Sequence, residues 1–520
     1  MMKILKFTGL LLLLVFISAI VFVTYNWRDR HPDYNLDLLI IPEEEKSEIM
    51  VGASAQPITV DIVDTWNDVN SDAKFKPEDG DTYNDNNKNG KFDVYWIAGF
   101  DNKRAANGVH DDVWARTVVI DDGNSRIAIV SVDAIGFMID DVIDVRKSIE
   151  KELNIDYCII ASTHTHESND LIGIWGSGLT QSGVDEENMN YVKEQIKRSV
   201  KEAVESMQTA ELHIAQDLVS GDKWVDDSRK PIVKDSGIRL IRAVNPDKGN
   251  TIATLMFWAN HPETLWNKNL QISSDFPHYY REFVEDGIYK NDTLIKKGLG
   301  GIAIYFNGSV GGLMTTRPQN EIKDLVSDSI YDKAGFPKIE AQGRNLALVS
   351  LDALENPDTV LKRSNIKLRA KSILLPLENN TFKMASAIGL LRRGMSGYMK
   401  MKSEVAIMEI GPLSIVTIPG ESYPELVNGG VAAPEGNDFN YTSVKHRSIR
   451  EMMNGKYKVV IGLANDEIGY IIPKSQWDVE APYAYERESS QYGEGNSFGP
   501  ETAVIICREI EGIIDDLDKK

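Results

Sequence analysis

Four short polar clusters follow apolar, strand-like runs, and together they hold the residue types that bind a catalytic metal. YCIIAS leads into Thr163-His164-Thr165-His166, and TLMFWAN leads into His261-Pro262-Glu263. SIVTIPG leads into Glu421, and KVVIGLAND precedes Tyr470. A catalytic zinc site needs a few nitrogen or oxygen ligands and one position open to water. Two imidazoles, a carboxylate and a phenolate meet that need if the fold brings them together. Their separations are too long for a local motif, and buried histidines also serve as structural hydrogen-bonding groups, so spacing alone leaves both readings open.

These clusters need a scaffold that gathers strand ends. RIAIVSVDAIGF reads as a buried strand and IDDVIDVRKSIEKEL as an amphipathic helix. YCIIAS is a strand, NYVKEQIKRSVKEAVESM a helix, and TIATLMFW, GIAIYF, LSIVTI and KVVIGL are further strands. Such alternation predicts an α/β fold in which helices cover sheets, with ligands at the carboxyl ends of strands. No linker interrupts the chain after residue 100, so one large domain over residues 61–520 is expected.

The remaining composition narrows the class. Of 520 residues, 42% are hydrophobic and 26% charged, which excludes disorder as the main state. The net charge of -21, with no basic patch, excludes a nucleic-acid partner. Cys158 and Cys507 lie in apolar runs and read as buried free thiols. Phe7 to Tyr25 carries no charge and is nearly long enough to span a bilayer core of about 30 Å. No small-x-small site follows it, so residues 1–30 read as an uncleaved signal anchor, with a cleaved signal peptide as the alternative. The catalytic domain is then extracytoplasmic and membrane-anchored, or secreted if the segment is removed. Residues 31–60 read as a tether.

Residues 64–93 form an insertion rich in Asp, Asn, Gly and Lys. Within it Asp85, Asn87, Asn89, Gly90 and Asp93 have the oxygen spacing of a calcium loop, without a carboxylate at position twelve, which is Trp96. Asp68, Asn70, Asp72 and Asp79 repeat the pattern with Ala73 in place of the glycine. Ca²⁺ bound for structure and a solvated turn-rich segment are the two readings. Two catalytic motifs are absent. Gly495-Asn496-Ser497-Phe498-Gly499 has no strand before it and no histidine after it. His166-Glu167 has no second histidine four residues on.

Taken together and in order, ANGVHDDVWAR, ASTHTH, NHPETLWN with SSDFPHYY, FNGSVGGLMT, VTIPGE and GLANDEIGY resemble the neutral, non-lysosomal ceramidase family over roughly residues 95–500. The resemblance implies mixed sheets layered between helices, an αββα-like arrangement, and a Zn²⁺-dependent amidase that cleaves N-acylsphingosines with a zinc-activated water. Carried over motif by motif, His164, His261, Glu421 and Tyr470 would bind zinc. His166, Arg229 in DSRKP and Tyr485 in YAYER would contact the substrate or the developing oxyanion. His110 either lies nearby or belongs to a structural turn, and Asp275 and His278 could orient His261, with helix capping as the other reading of Asp275.

The chain departs from the family pattern at FNGSVGGLMT, where Gly312 replaces an acid and Met314 a serine; Ser309 and Thr315 are the nearest hydroxyls. It also leaves no room after FGPE for the family's C-terminal immunoglobulin-like domain. These departures favour a second reading, the same zinc site acting on another ester or amide, such as an acylated glycan or small lipid. A third, non-catalytic reading is a calcium-bound surface module.

Overall fold

A computed structural model describes residues 2–42, 45–430 and 447–519. Helix α1 (Met2–Trp27) opens the chain. Its Lys6–Trp27 portion has a mean hydropathy of 2.7, lies outside the protein interior, and is long and apolar enough to cross a membrane.

Two sheets face each other. The larger has ten strands, and its main path runs from Ile302–Phe306 through Thr251–Phe257, Ile238–Val244, Gln208–Asp217, Ser47–Pro57, Trp114–Asp121 and Arg126–Val132 to Tyr157–Ser162. The smaller has five, in the order Asp37–Ile40, Ile366–Pro376, Lys400–Ile410, Leu413–Thr417 and Tyr457–Ile461. One apolar core fills the space between them, with Val118, Ile129 and Leu255 from the first sheet and Leu368, Met408 and Val459 from the second. Helices α2 (Ile139–Leu153) and α3 (Glu186–Glu205) cover the outer face of the large sheet at one end. Helices α4 (Phe276–Asp286) and α5 (Phe336–Glu355) cover it at the other. The C-terminal helix Glu501–Asp518 covers the small sheet. The layering is α–β–β–α, the mixed α/β class expected from the alternating pattern.

The segment read as a tether supplies strands to both sheets. Asp37–Ile40 pairs with Ile366–Pro376, and Ser47–Pro57 lies between two long strands in the large sheet. Its apolar signal is weak because Gly, Ala and Ser dominate it. The reason is close packing: a Cβ on Gly52 would lie 1.9 Å from the Ala203 carbonyl of α3.

Within these two sheets most pairings are antiparallel, but three are parallel: Arg126–Val132 with Tyr157–Ser162, Thr251–Phe257 with Ile302–Phe306, and Leu413–Thr417 with Tyr457–Ile461. Parallel partners end on the same sheet edge. His164, His261, Glu421 and Tyr470 each follow one of these strands, which is how residues remote in sequence arrive at one place.

Candidate metal centre

Each ligand candidate is fixed by backbone pairing just beyond its strand. His164 has φ +67, a left-handed backbone that turns the chain sharply after Ser162, and its N–H donates to the Ala134 carbonyl at 2.9 Å. His261 N–H donates to the Met314 carbonyl at 2.9 Å. Glu421 and Tyr470 are register partners in a two-residue parallel ladder, so their side chains start from adjacent positions. Asn307, at the end of Ile302–Phe306, joins two of these turns. Its amide donates to the carbonyls of Thr163 (2.9 Å) and Asn260 (3.0 Å), and its oxygen accepts from Asn260 N–H (3.1 Å).

The resulting cluster is buried. Nitrogen atoms of His164, His166 and His261 lie within 4.8 Å of one another, the group of His, Cys, Asp or Glu side chains best placed for a metal among the described residues. Glu421 Oε2 is 3.0 Å from His261 Nε2 and 3.7 Å from His164 Nε2.

Two of the rings are held as metal-ligating rings are held. His164 Nδ1 lies 2.5 Å from the Ile135 carbonyl, and His261 Nδ1 lies 2.8 Å from the Met314 carbonyl. A carbonyl only accepts, so each Nδ1 carries a proton; both Nε2 atoms face Glu421, and that of His261 donates to the carboxylate when no metal stands between them. His166 is held differently. Its Nδ1 is 3.1 Å from Glu263 Oε2 but not aligned for a hydrogen bond, and both ring nitrogens are buried without a hydrogen-bond partner.

Electrostatics follow the geometry. Burial drives His164 down to about 4 and His166 further below its ordinary value. His261 moves up to about 9, because the Glu421 hydrogen bond and the nearby Glu263 outweigh burial. Burial raises Glu421, but the two histidines and the Tyr470 hydroxyl outweigh it and hold the carboxylate low. Burial, then the Glu421 charge, pushes the Tyr470 phenol well up. A buried carboxylate facing two imidazole nitrogens is a donor set suited to a divalent cation that accepts nitrogen and oxygen and would displace the His261 proton.

Two pockets meet at this cluster. One is mainly apolar and includes Ile135, Ile172, Phe382 and Phe498 with His164, His166, Glu421 and Tyr470. The other is more polar, setting Asp101, Glu263, Thr315 and Arg317 among aromatic side chains with His166, His261 and Tyr470. Phe100, His166, Tyr470 and Tyr492 line both.

The structure separates the other expected residues from this junction. Arg229 is buried in an ion pair with Glu494 (2.9 and 3.0 Å) and donates to the Gln476 carbonyl at 3.0 Å. It lines neither pocket, and neither does Tyr485, whose ring lies 5.6 Å from the Lys230 ammonium. Tyr492, 5.9 Å from the Tyr470 ring, is the second tyrosine that faces the pockets. Asp275 does not orient His261. It caps α4, accepting from Phe276 N–H at 2.7 Å and from Leu265 N–H at 2.9 Å, while the Met314 carbonyl takes the orienting role. His278 instead faces Asp111 and Glu282, each at 3.7 Å. His110 lies 3.1 Å from the Tyr279 hydroxyl and packs on Phe336.

Of the hydroxyls near the departed serine, Ser309 donates to the Ser422 carbonyl at 2.6 Å, whereas Thr315 lines the polar pocket. Met314 contributes its side chain to the core and its carbonyl to His261.

Sequence reasoning missed Asn307, Tyr492 and the carbonyls of Ile135 and Met314. Asn307 sits at a strand end like the ligands and was findable on that ground. Tyr492 opens a one-turn helix, Tyr492–Gly495, too short to carry a periodic signal, and a backbone carbonyl leaves no residue signature.

The calcium-like loop is compact. Asp85 accepts from the backbone N–H groups of Asn89 (3.0 Å) and Gly90 (2.8 Å), and the side-chain amides of Asn87 and Asn89 each lie 2.6 Å from Asp93 Oδ2. In its sister loop the Lys76 ammonium sits on Asp72 (2.5 Å) and Asp79 (3.2 Å), placing an internal cation where a metal would compete.

The fold and the site define a layered mixed α/β protein with a buried His–carboxylate centre suited to a divalent metal. Residues 92–315 match the family model for neutral/alkaline non-lysosomal ceramidase, N-terminal, a family of hydrolases. The match covers the three histidines and ends before Glu421 and Tyr470. The fold is similar to the crystal structure of neutral ceramidase from Pseudomonas aeruginosa, at 14% identity and a TM-score of 0.64 over 91% of this chain and 75% of that one. A structure of ceramidase complexed with C2 is similar to the same degree, at 13% identity and a TM-score of 0.64 over 91% of this chain and 76% of that one. No curated protein matches the chain.

Proposed function

We propose that this protein is a membrane-anchored, zinc-dependent amidohydrolase acting on N-acylsphingosine-like lipids. The observation that carries the reading is the placement of the metal-competent cluster where an apolar and a polar pocket meet. A lipid amide has that polarity: an apolar chain on one side of the scissile bond and polar groups on the other.

His164, His261, Glu421 and Tyr470 would hold the zinc. When bound, it supplies Lewis acidity toward water and the amide carbonyl. The chain's own groups do the rest. Burial keeps His166 neutral and also raises the Glu263 carboxyl. With the ring neutral, one nitrogen of His166 keeps its N–H and would serve as a donor to the carbonyl oxygen as charge builds there. The apolar wall excludes water from the acyl side, and residues 7–25 keep the enzyme at the membrane that holds its substrate. Arg229, committed to Glu494, acts by holding the short helix that begins with Tyr492 rather than by touching the reacting atoms.

The test uses full-length protein in detergent with a panel of N-acylsphingosines, following fatty-acid release by mass spectrometry. Release that a chelator abolishes and zinc restores supports the reading. No release from protein that still holds one metal would transfer the site to another ester or amide, the second reading favoured by Met314 in place of a serine. Calcium in the 85–93 loop is a separable part of the proposal. Isothermal titration is expected to lose one calcium site when Asp85 and Asp93 are both changed to Asn, and equal binding would remove calcium from the account.

Gly99 supplies a further expectation. It has φ +85, and a Cβ there would lie 2.5 Å from His166 Nδ1. Gly99→Ala displaces that ring, and a shift of about 1 Å at a catalytic group lowers kcat by about 10²-fold. Steady-state kinetics check this, with unchanged metal content showing that the zinc ligands stay in place.

A further inference from the structure

The end of the apolar helix packs against a segment that forms part of the wall of the apolar pocket. Asn26 of α1 donates to the Ala387 carbonyl at 2.9 Å, and the Trp27 carbonyl accepts from Met395 N–H at 3.0 Å. These contacts hold the segment that contains α6 (Asn380–Ala387) and the turn after it. Phe382 and Leu391 of that segment line the pocket. The turn in its coil touches a second loop, because a Cβ on Gly173 would lie 2.0 Å from the Leu390 carbonyl. That loop gives the pocket Ile172, Ile174 and Trp175. The helix end, the α6 turn and the 170–179 loop are therefore contiguous, and two of the three form pocket wall.

Both of those elements also turn apolar side chains outward. Met384 is 63% exposed and Ile388 38%, one helical turn apart, and Leu179 at the tip of the loop is 83% exposed. Single exposed apolar residues are ordinary; these lie on two touching elements, one of them held to a helix of mean hydropathy 2.7, and that gives them a specific neighbour, the bilayer surface that helix enters.

We propose that α1 seats the domain against the bilayer with the α6 turn and the 170–179 loop on the lipid surface, so that an apolar chain enters the pocket from the anchoring membrane itself. The seating rests on the anchored reading of α1, and the route it gives the substrate rests on the lipid-hydrolase reading.

The test separates these. Full-length protein, its intact N-terminus verified by mass, is reconstituted with phosphatidylcholine vesicles. A fluorophore is attached at Met384→Cys, Leu179→Cys or Leu294→Cys in turn. Leu294 lies on the hairpin that packs beside α4, and Lys296 of that hairpin pairs with α5. Cys158 and Cys507 are buried, with thiols pushed up to about 12, and do not compete for label. Quenching by spin-labelled lipid at positions 384 and 179 but not at 294 is the expected result. Vesicle flotation without quenching at 384 and 179 overturns the seating while leaving anchor and hydrolase untouched, and failure to float overturns the anchor and the seating together. In protein that hydrolyses N-acylsphingosines, changing Met384 and Ile388 together to Asp lowers turnover of bilayer-embedded substrate by about 10-fold or more and leaves micellar turnover unchanged. An equal effect in both formats contradicts the route.

Discussion

His261→Ala and His164→Ala are each expected to lose metal binding and turnover together, whereas His166→Ala is expected to keep the metal and lose turnover alone. The division follows from how the rings are held. His164 and His261 each commit Nδ1 to a backbone carbonyl and turn Nε2 toward Glu421. His166 lacks such a carbonyl and leans on Glu263. Removing an outer partner of a metal ligand costs about 10–100-fold, so loss of a ligand itself should cost about 10³-fold or more in turnover. Removing a donor to developing charge should cost about 10²–10³-fold, with metal retained. Metal content by atomic absorption, beside fatty-acid release, reads both columns. Metal loss in His166→Ala with retention in His261→Ala would contradict the ligand assignment.

The largest stability effect is expected at Asp466→Ala. Asp466 and Arg393 are both fully buried, and the carboxylate accepts two bonds from the guanidinium at 2.9 and 3.0 Å. It also accepts from Ser403 Oγ at 2.8 Å and from the N–H groups of Ile139 (3.1 Å) and Glu467 (2.9 Å). Replacement by alanine leaves a buried guanidinium without a counter-charge and two backbone donors without an acceptor. Breaking a buried pair from one side costs about 3–5 kcal/mol. The urea midpoint should fall accordingly, and zinc affinity with it, since this carboxylate anchors the loop that runs on to Tyr470. A midpoint within experimental error of the parent protein would show that the loop is held by other contacts.

The elements that position the site were legible because their signals are local. The alternating strands and the amphipathic patterns of α2 and α3 carry their periodicity in single stretches, and each ligand stands just beyond an apolar run. Parallel pairing of those strands then does the gathering, and pairing between distant strands has no local signature. Misreadings arose where one residue type serves several ends. Asp275 precedes Phe276-Pro277 and caps a helix. Arg229 finds Glu494, remote in sequence, as a buried partner. The strand Ser47–Pro57 hides behind small residues because α3 packs against its backbone. The carbonyls that orient His164 and His261 belong to Ile135 and Met314, whose side chains say nothing of that role. The serine position of the family pattern thus holds a methionine that contributes to the centre through its backbone.

The most direct test of the metal centre is anomalous diffraction at the zinc edge from crystals of the intact protein grown with one equivalent of zinc. The account predicts a single strong peak within ligand distance of His164 Nε2, His261 Nε2, Glu421 and the Tyr470 oxygen, with His166 outside that shell. A peak ligated by His166 in place of Glu421, or zinc bound only elsewhere on the protein, would contradict it.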